Sequence, residues 1–326
     1  MQPVRWGIIG TGHIARNFAA ALATMPDARL VAVGSRSREA AESFGARVAA
    51  PRRHSSYQAL AGDKEVDAVY IAVPHPFHAE NTLLCLAAGK PVLCEKPFAL
   101  NALQAGEVLR VARAKKLLVM EAMWTRCFPV MARLRELLAQ GAIGTVRLLA
   151  ADFSFRASFS PESRLFNPAL GGGALLDVGI YPVSLASMIL GPPSAILSSP
   201  HIGPTGVDFQ AAMIFHYQNN AVATLYAGLR EDAPGEAEIF GETGAVKIHS
   251  PFWKPSRMTL TRRPGKTQQF DLPYPGNGMQ FEAAEFMACL RQGRQESALM
   301  PWEETLSIMR TLDAMRGQWG LRYPGE

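Results

Sequence analysis

The sequence has little charge of either sign, and no cluster of it. Lys and Arg number 33 and Asp and Glu 28 in 326 residues, 19% charged in all, and no basic run is longer than Arg52-Arg53, Lys115-Lys116 or Arg262-Arg263. That scatter excludes a nucleic-acid-binding tail. A net charge of +5 with a pI near 9.1 slightly favours anionic partners. Cysteine is scarce: Cys85, Cys94, Cys127 and Cys289 have no CxxC or CxH spacing. Neither a zinc site nor a disulfide framework is indicated, and a reducing cytoplasm is the expected compartment. The first residues, Met1-Gln2-Pro3-Val4-Arg5-Trp6, lack the charged start and cleavage site of a signal peptide. Val178 to Val207 contains no Asp, Glu, Lys or Arg, which is length enough to span a bilayer. Pro182, Pro192, Pro193, Pro200 and Pro204, with five serines among them, break it. It reads as a helix and a loop, not a transmembrane segment.

Apolar residues make up 48% of the chain, as in an ordinary globular protein. A chain of this length predicts two domains, divided here as 1–122 and 123–326. In the first, short apolar strands (Trp6–Ile9, Leu30–Val33, Ala68–Val73, Pro91–Cys94, Leu117–Met120) alternate with helical patterns at Ile14–Leu22, Arg38–Phe44, Phe77–Ala88 and Ala102–Lys115. Continuous apolar strands between helices predict an α/β domain with a doubly wound parallel sheet covered on both faces. After Met123 the pattern changes. A helix at Val130–Gln140 leads into a strand at Thr145–Phe155, and Asp208–Tyr217 alternates so that Phe209, Ala211, Met213, Phe215 and Tyr217 share one face. Asn219-Asn220 turns the chain into Val222–Ala227. Further strands are expected at Glu236–Phe240, Ala245–His249, Met258–Thr261 and Gln268–Asp271, and helices at Phe281–Arg291 and Trp302–Gly317. This second part predicts an α+β domain on a mostly antiparallel sheet.

Gly10-Thr11-Gly12-His13-Ile14-Ala15 directly follows the first strand and opens the first helix. In that context the first glycine permits a tight turn and the second lets backbone approach a pyrophosphate. The small third residue lets helix and strand pack closely. The pattern alone is weak; its strand–turn–helix setting puts dinucleotide binding ahead of a plain turn. The second strand ends in Gly34-Ser35-Arg36-Ser37-Arg38, with no acid until Glu39. A carboxylate there would bind ribose hydroxyls and repel a 2′-phosphate. Ser35 can instead donate to such a phosphate, and Arg36 or Arg38 can pair with it, so NADP is expected over NAD. The alternative is a solvated helix start.

Other candidates lie at the carboxyl ends of the strands, where open α/β sheets bind ligands. Cys94-Glu95-Lys96-Pro97 follows the fourth strand, with Lys96 a candidate proton donor or electrostatic element and Glu95 beside it; a surface-loop lysine is the bland reading. Val73-Pro74-His75-Pro76-Phe77-His78 follows the third strand, and its histidines can hydrogen-bond a cofactor or merely close the turn. Gly171-Gly172-Gly173 leads to Asp177 and Tyr181, four apart and so on one helical face. Phenol and carboxylate together could run acid–base chemistry. Taken alone, they read first as a helix-dipole Asp and a core Tyr. Trp124, and Phe153 on the strand after it, are candidate apolar walls for a substrate; for Trp124, packing between domains is an equal reading.

Gly10–Ala15, Glu95-Lys96-Pro97, the triple glycine and Asp177-x-Gly179-x-Tyr181 resemble the glucose-fructose oxidoreductase/inositol dehydrogenase (Gfo/Idh/MocA) family over nearly the whole chain. Most members carry His where this chain has Tyr181. The Tyr form, with Glu121-Ala122-Met123-Trp124-Thr125-Arg126 and Leu83–Lys96, looks most like the branch of dimeric dihydrodiol and NADP-dependent D-xylose dehydrogenases. The resemblance implies a Rossmann domain plus a domain with a large open-faced sheet, through which homodimers or homotetramers form. It also implies hydride transfer without a metal, to or from a cyclic polyol, an aldose or a trans-dihydrodiol. By the same resemblance Tyr181 is the proton donor or acceptor at the substrate oxygen. Lys96 holds that oxygen and favours the phenolate by its charge, and Asp177 positions both. Ala150 and Ala151 depart from the pattern near where the vertebrate branch leads one to expect an arginine. Two other readings remain: a glycosidase that retains its nicotinamide, and an NADP-binding sensor without turnover. The intact Lys96, Asp177 and Tyr181 set argues against the sensor.

Overall fold

A computed structural model of the chain describes residues 2–326. Two compact units make it up: the chain as far as Trp124 together with Pro275–Thr305, and Thr125–Tyr274 together with Leu306–Glu326. The first unit therefore takes back a segment that the division at residue 122 had assigned to the second.

In chain order the first stretch is β1 (Val4–Ile9), α1 (His13–Leu22), β2 (Ala28–Gly34), α2 (Arg38–Arg47), β3 (Arg52–His54), α3 (Tyr57–Ala61), β4 (Ala68–Ile71), α4 (His78–Ala87), β5 (Val92–Glu95), α5 (Ala102–Lys115) and β6 (Val119–Ala122). The six strands form one parallel sheet in the order β3-β2-β1-β4-β5-β6. That is the doubly wound order of a Rossmann domain, reversing direction between β1 and β4. Its core is the fully buried Trp6, against which Phe18 and Phe286 pack at 5.2 and 5.1 Å between ring centres, with Phe18 stacked on Tyr70 at 3.7 Å. Truncating such a residue costs about 3–5 kcal/mol. Phe286 explains why Pro275–Thr305 belongs here. Its helix also ties to the α1 region through Asn277 to the Asn17 carbonyl (2.8 Å) and Arg291 to Asp27 (2.7 Å). β3 is three polar residues and α3 only five residues long, too short for either to show a periodic apolar signal, so neither is expected from the sequence.

The second stretch runs α6 (Pro129–Ala139), β7 (Val146–Ser154), α7 (Ile180–Leu190), β8 (Ala195–Ile202), β9 (Asp208–His216), β10 (Val222–Gly228), β11 (Ala237–Gly241), β12 (Gly244–Ile248), β13 (Arg257–Arg262), β14 (Lys266–Asp271), α8 (Met279–Arg291) and α9 (Trp302–Trp319). Strands β7 to β14 form an eight-stranded sheet, β14-β13-β12-β11-β7-β10-β9-β8, antiparallel except where β10 lies parallel to β7. On β9 the alternation is as expected: Phe209, Ala211, Met213 and Phe215 are buried, and the residues between them are exposed. β8 corrects the expectation of a loop. It is an edge strand, where a proline such as Pro200 is tolerated because one side of the backbone needs no partner.

Pro168–Leu190 is long and apolar enough to pass for a membrane span, but 83% of its most apolar window is buried inside the protein. Packing accounts for its composition. Gly179 precedes α7, and a Cβ there would come within 3.3 Å of the Ala227 Cβ on β10, so a small residue on each side lets this segment press on the sheet.

Candidate active site

In the first unit, Gly10 has φ +107° and a Cβ there would stand 2.2 Å from the Ala72 carbonyl oxygen. Only glycine fits that turn. Gly12 caps α1 from an extended conformation, with no side-chain cap and no acid in the first helical turn, and the space its Cβ would take is empty. The first N–H groups of α1 are thus open to an anion, at the positive end of the helix dipole. Thr11, His13 and Ile14 lie on the solvent-facing side of this turn, and Ala15 is buried against the sheet. At the end of β2, Ser35 is buried and its Oγ accepts from the Ser37 N–H at 3.3 Å, leaving its O–H to donate. Arg36 is exposed and its guanidinium lies 5.4 Å from the centre of the Phe77 ring. Arg38, also exposed, opens α2. A cavity of about 310 Å³ is lined by Arg36, Tyr57, Val73, Pro74 and Phe77 among others. Tyr57 was missed in the sequence; its hydroxyl bonds Arg36, though burial outweighs that contact and raises its pKa. These features fit a dinucleotide: an uncapped helix start for the pyrophosphate, a cavity with Tyr57 and Phe77 in its lining for a purine, and donors with no carboxylate at the end of β2, although Glu80 lines the same cavity.

The turns after β4 and β5 are joined by His78. Its ring is buried, with Nδ1 2.6 Å from the Pro97 carbonyl oxygen and Nε2 2.8 Å from that of Val73. Both nitrogens face backbone carbonyls, and burial disfavours the charged ring, so whichever nitrogen carries the proton donates to one of the two loops and the ring packs between them. His75 is buried with its ring centre 5.7 Å away. Lys96 is half-buried. Glu95 beside it is fixed from two directions, by the Tyr70 hydroxyl and by the Lys96 N–H (3.2 Å). Glu121, buried, accepts from the Phe98 N–H (3.1 Å) and the Thr305 hydroxyl (3.0 Å) and so anchors the chain just past Lys96. Glu282 is fully buried, and burial, with the Glu95 charge second, pushes its pKa well up. Trp124, half-buried, opens a short 3-10 turn at the end of this stretch.

In the second unit, Asp177 lies in a π-helical turn, Leu175–Gly179, that runs into α7, with Tyr181 the second residue of α7. Pro182 cannot donate to the carbonyl four residues back, which loosens the helical ladder at this point. Such π turns concentrate at functional sites. Asp177 is buried and accepts from Arg164 at 2.8 Å, from a guanidinium that is half in solvent. Tyr181 is buried to 7% exposure. Its ring centre lies 5.3 Å from that of Phe153, which stacks at 3.5 Å and 9° on Trp253. Neither Arg164 nor Trp253 is among the candidates that the sequence offers. Among the described residues no group of three or more His, Cys, Asp or Glu is placed to hold a metal.

A Rossmann unit with an open phosphate turn, followed by a sheet domain presenting a phenol and a carboxylate, defines a nucleotide-dependent oxidoreductase. Residues 4–123 match the oxidoreductase family with NAD-binding Rossmann fold (GFO/IDH/MocA), and residues 131–247 match the GFO/IDH/MocA C-terminal domain. The chain belongs to this family and is an NAD(P)-dependent oxidoreductase acting on CH–OH groups. It is 35% identical to trans-1,2-dihydrobenzene-1,2-diol dehydrogenase of Xenopus tropicalis over 98% of this chain and 99% of that one. It is 36% identical to D-xylose 1-dehydrogenase (NADP(+)) of Hypocrea jecorina over 98% and 93%. Among solved structures, a 3-ketoreductase from Actinomadura kijaniata in complex with NADP and TDP-benzene superposes with a TM-score of 0.86 at 29% identity, covering 97% of this chain and 98% of that one.

Proposed function

We propose that the protein is an NADP(H)-dependent dehydrogenase of a cyclic polyol, an aldose or a trans-dihydrodiol, working in the cytoplasm. The observation that carries this reading is the setting of Tyr181, a phenol beside the flat Phe153–Trp253 stack and on the same helical segment as Asp177. A face of that kind suits the C–H side of a saturated ring or sugar, and polar neighbours suit its hydroxyls. Similarity to dihydrodiol and D-xylose dehydrogenases along nearly the whole chain supports the same substrate classes.

NADP, when bound, supplies the hydride acceptor or donor. Gly10, Gly12 and the start of α1 would hold its pyrophosphate, and Ser35 with Arg36 the 2′-phosphate. Tyr181 takes the hydroxyl proton as an alcohol is oxidised and returns it on reduction, while the charge on Lys96 stabilises the oxygen as it turns negative. Asp177, fixed by Arg164, orients these groups. No metal is required in this scheme. Orientation supplies much of the rate, because the reacting carbon needs only to be held in line. The test is NADP+ and NAD+ reduction at 340 nm against aldoses, inositols and trans-dihydrodiols. Turnover of D-xylose or a dihydrodiol with NADP+ is the expected result. Tight NADP binding with no absorbance change for any compound would reject it.

We also propose that the open face of the eight-stranded sheet is covered by a second copy of the chain.

A further inference from the structure

We propose that Asp208 is a positioning residue for the reaction: it fixes the Gly171–Leu175 turn from which Asp177 and Tyr181 project. This rests on the function proposed above. Asp208 opens β9 and has no solvent exposure at all. Its Oδ2 accepts the Leu175 N–H at 2.6 Å. Its Oδ1 lies 2.2 Å from where a Cβ on Gly173 would stand, and Gly173 has φ +117°. Glycine is therefore required there twice over, by backbone conformation and by the carboxylate that fills its side-chain space.

The other side of the turn is gripped as well. Tyr323, buried, donates its hydroxyl to the Gly172 carbonyl at 2.6 Å. A Cβ on Gly172 would meet the Leu165 carbonyl oxygen at 2.8 Å and the Asn167 nitrogen at 2.9 Å. Arg316, whose charge bears on Asp208, is itself tied down by Asp313 and Glu326 at 2.7 Å each. The segment so held is weak on its own account. The first bond into the π turn, from the Asp177 N–H to the Gly173 carbonyl, is 3.3 Å long, and Pro182 donates nothing. An external acceptor on Leu175, two residues before Asp177 and six before Tyr181, is what keeps the start of this helix wound. Its effect reaches the chemistry only through those two side chains.

Asp208→Ala and Asp208→Asn in the whole chain test this. Leaving the buried Leu175 N–H without its acceptor predicts that Asp208→Ala lowers kcat about ten- to a hundredfold, with the Kd for NADPH within twofold of wild type. Asp208→Asn keeps an acceptor for Leu175 and restores most of the rate. Hydrogen exchange over residues 173–183 gives a reading that needs no turnover. It should quicken about tenfold in Asp208→Ala and return to wild type in Asp208→Asn, with the sheet strands unchanged. A folded Asp208→Ala with wild-type kcat and exchange overturns the proposal, and so does exchange that quickens evenly along the chain. Should Asp208→Ala not fold, Tyr323→Phe loosens the same turn from the other side and must quicken exchange in the same residues. If the wild-type enzyme turns over none of the substrates above, the functional reading fails, while the exchange comparison still decides the role of Asp208.

Discussion

The Tyr181 ring is tilted by 54° against that of Phe153 at 5.3 Å between centres. Both ring packing and burial of Tyr181 survive replacement by phenylalanine, so Tyr181→Phe removes the hydroxyl and little else. With Tyr181 as the acid–base group, kcat should fall by about two orders of magnitude or more, with the Kd for NADPH within twofold. Steady-state kinetics beside a fluorescence titration of NADPH reads both. A rate near wild type would move the proton to another group, with Lys96 the first to examine.

Cofactor choice should depend on Arg36. Its guanidinium is solvent-exposed over Phe77 and no carboxylate ends β2. A charge-assisted contact to a 2′-phosphate contributes about 1.5–3 kcal/mol. Arg36→Ala should therefore raise the Kd for NADPH about ten- to a hundredfold and that for NADH by much less. Ser35→Asp, which sets a carboxylate where the phosphate would lie, should reverse the preference. Equal losses for both cofactors in Arg36→Ala would reject the assignment.

Asp208 should make stability fall as pH rises toward neutrality, in the same direction as the buried Glu282. Burial raises the Asp208 carboxyl from the ordinary 3.8 to about 7. Below the lower value both folded and unfolded chains carry the proton. Between the two values the unfolded chain has released it and the folded chain has not, so each pH unit favours unfolding by about 1.4 kcal/mol. The contribution of Asp208 thus declines by about 4 kcal/mol from pH 4 to pH 7 and is flat above. Asp208→Asn has no proton to release. Urea midpoints across this range should show a smaller decline in the variant, and identical slopes would exclude Asp208 as the group responsible.

Much of this was legible because the signals were local. The helix Ala102–Lys115 lies where its periodicity put it, and the alternating face of β9 is buried residue by residue. Gly10 and Gly12 sit in the strand–turn–helix context that gives the motif its meaning. What escaped depends on distance along the chain. Phe286 joins the first unit by packing on Trp6, 280 residues earlier, and no pattern within the segment announces that partner. Arg164 and Trp253 gain their roles only from Asp177 and Phe153. Faint signals existed for two residues. Asp208 is the first charge after the uncharged run from Val178, and Trp253 stands between Pro251 and Pro255, an aromatic in a rigid loop.

The outer face of the large sheet should be an interface between copies of the chain. Register places Leu197, Ile214, Thr224, Ala150 and Glu238 side by side across β8, β9, β10, β7 and β11. Tyr226, Leu148 and Phe240 stand in the adjoining rows. Leu197 is 60% exposed, and Ile214 and Tyr226 41% each. A mostly apolar depression of about 810 Å³ lies on this face. Monomers rarely leave so continuous an apolar surface in water, and the flat rows of side chains suit a second sheet of the same kind. A charge at the centre of such a contact would be buried without a partner, at a cost of several kcal/mol. Ile214→Asp should therefore give a folded monomer where the wild type is a dimer or larger, as read by light scattering at micromolar concentration. A wild type that is already monomeric there, or a variant that assembles as the wild type does, would leave this face to some other partner.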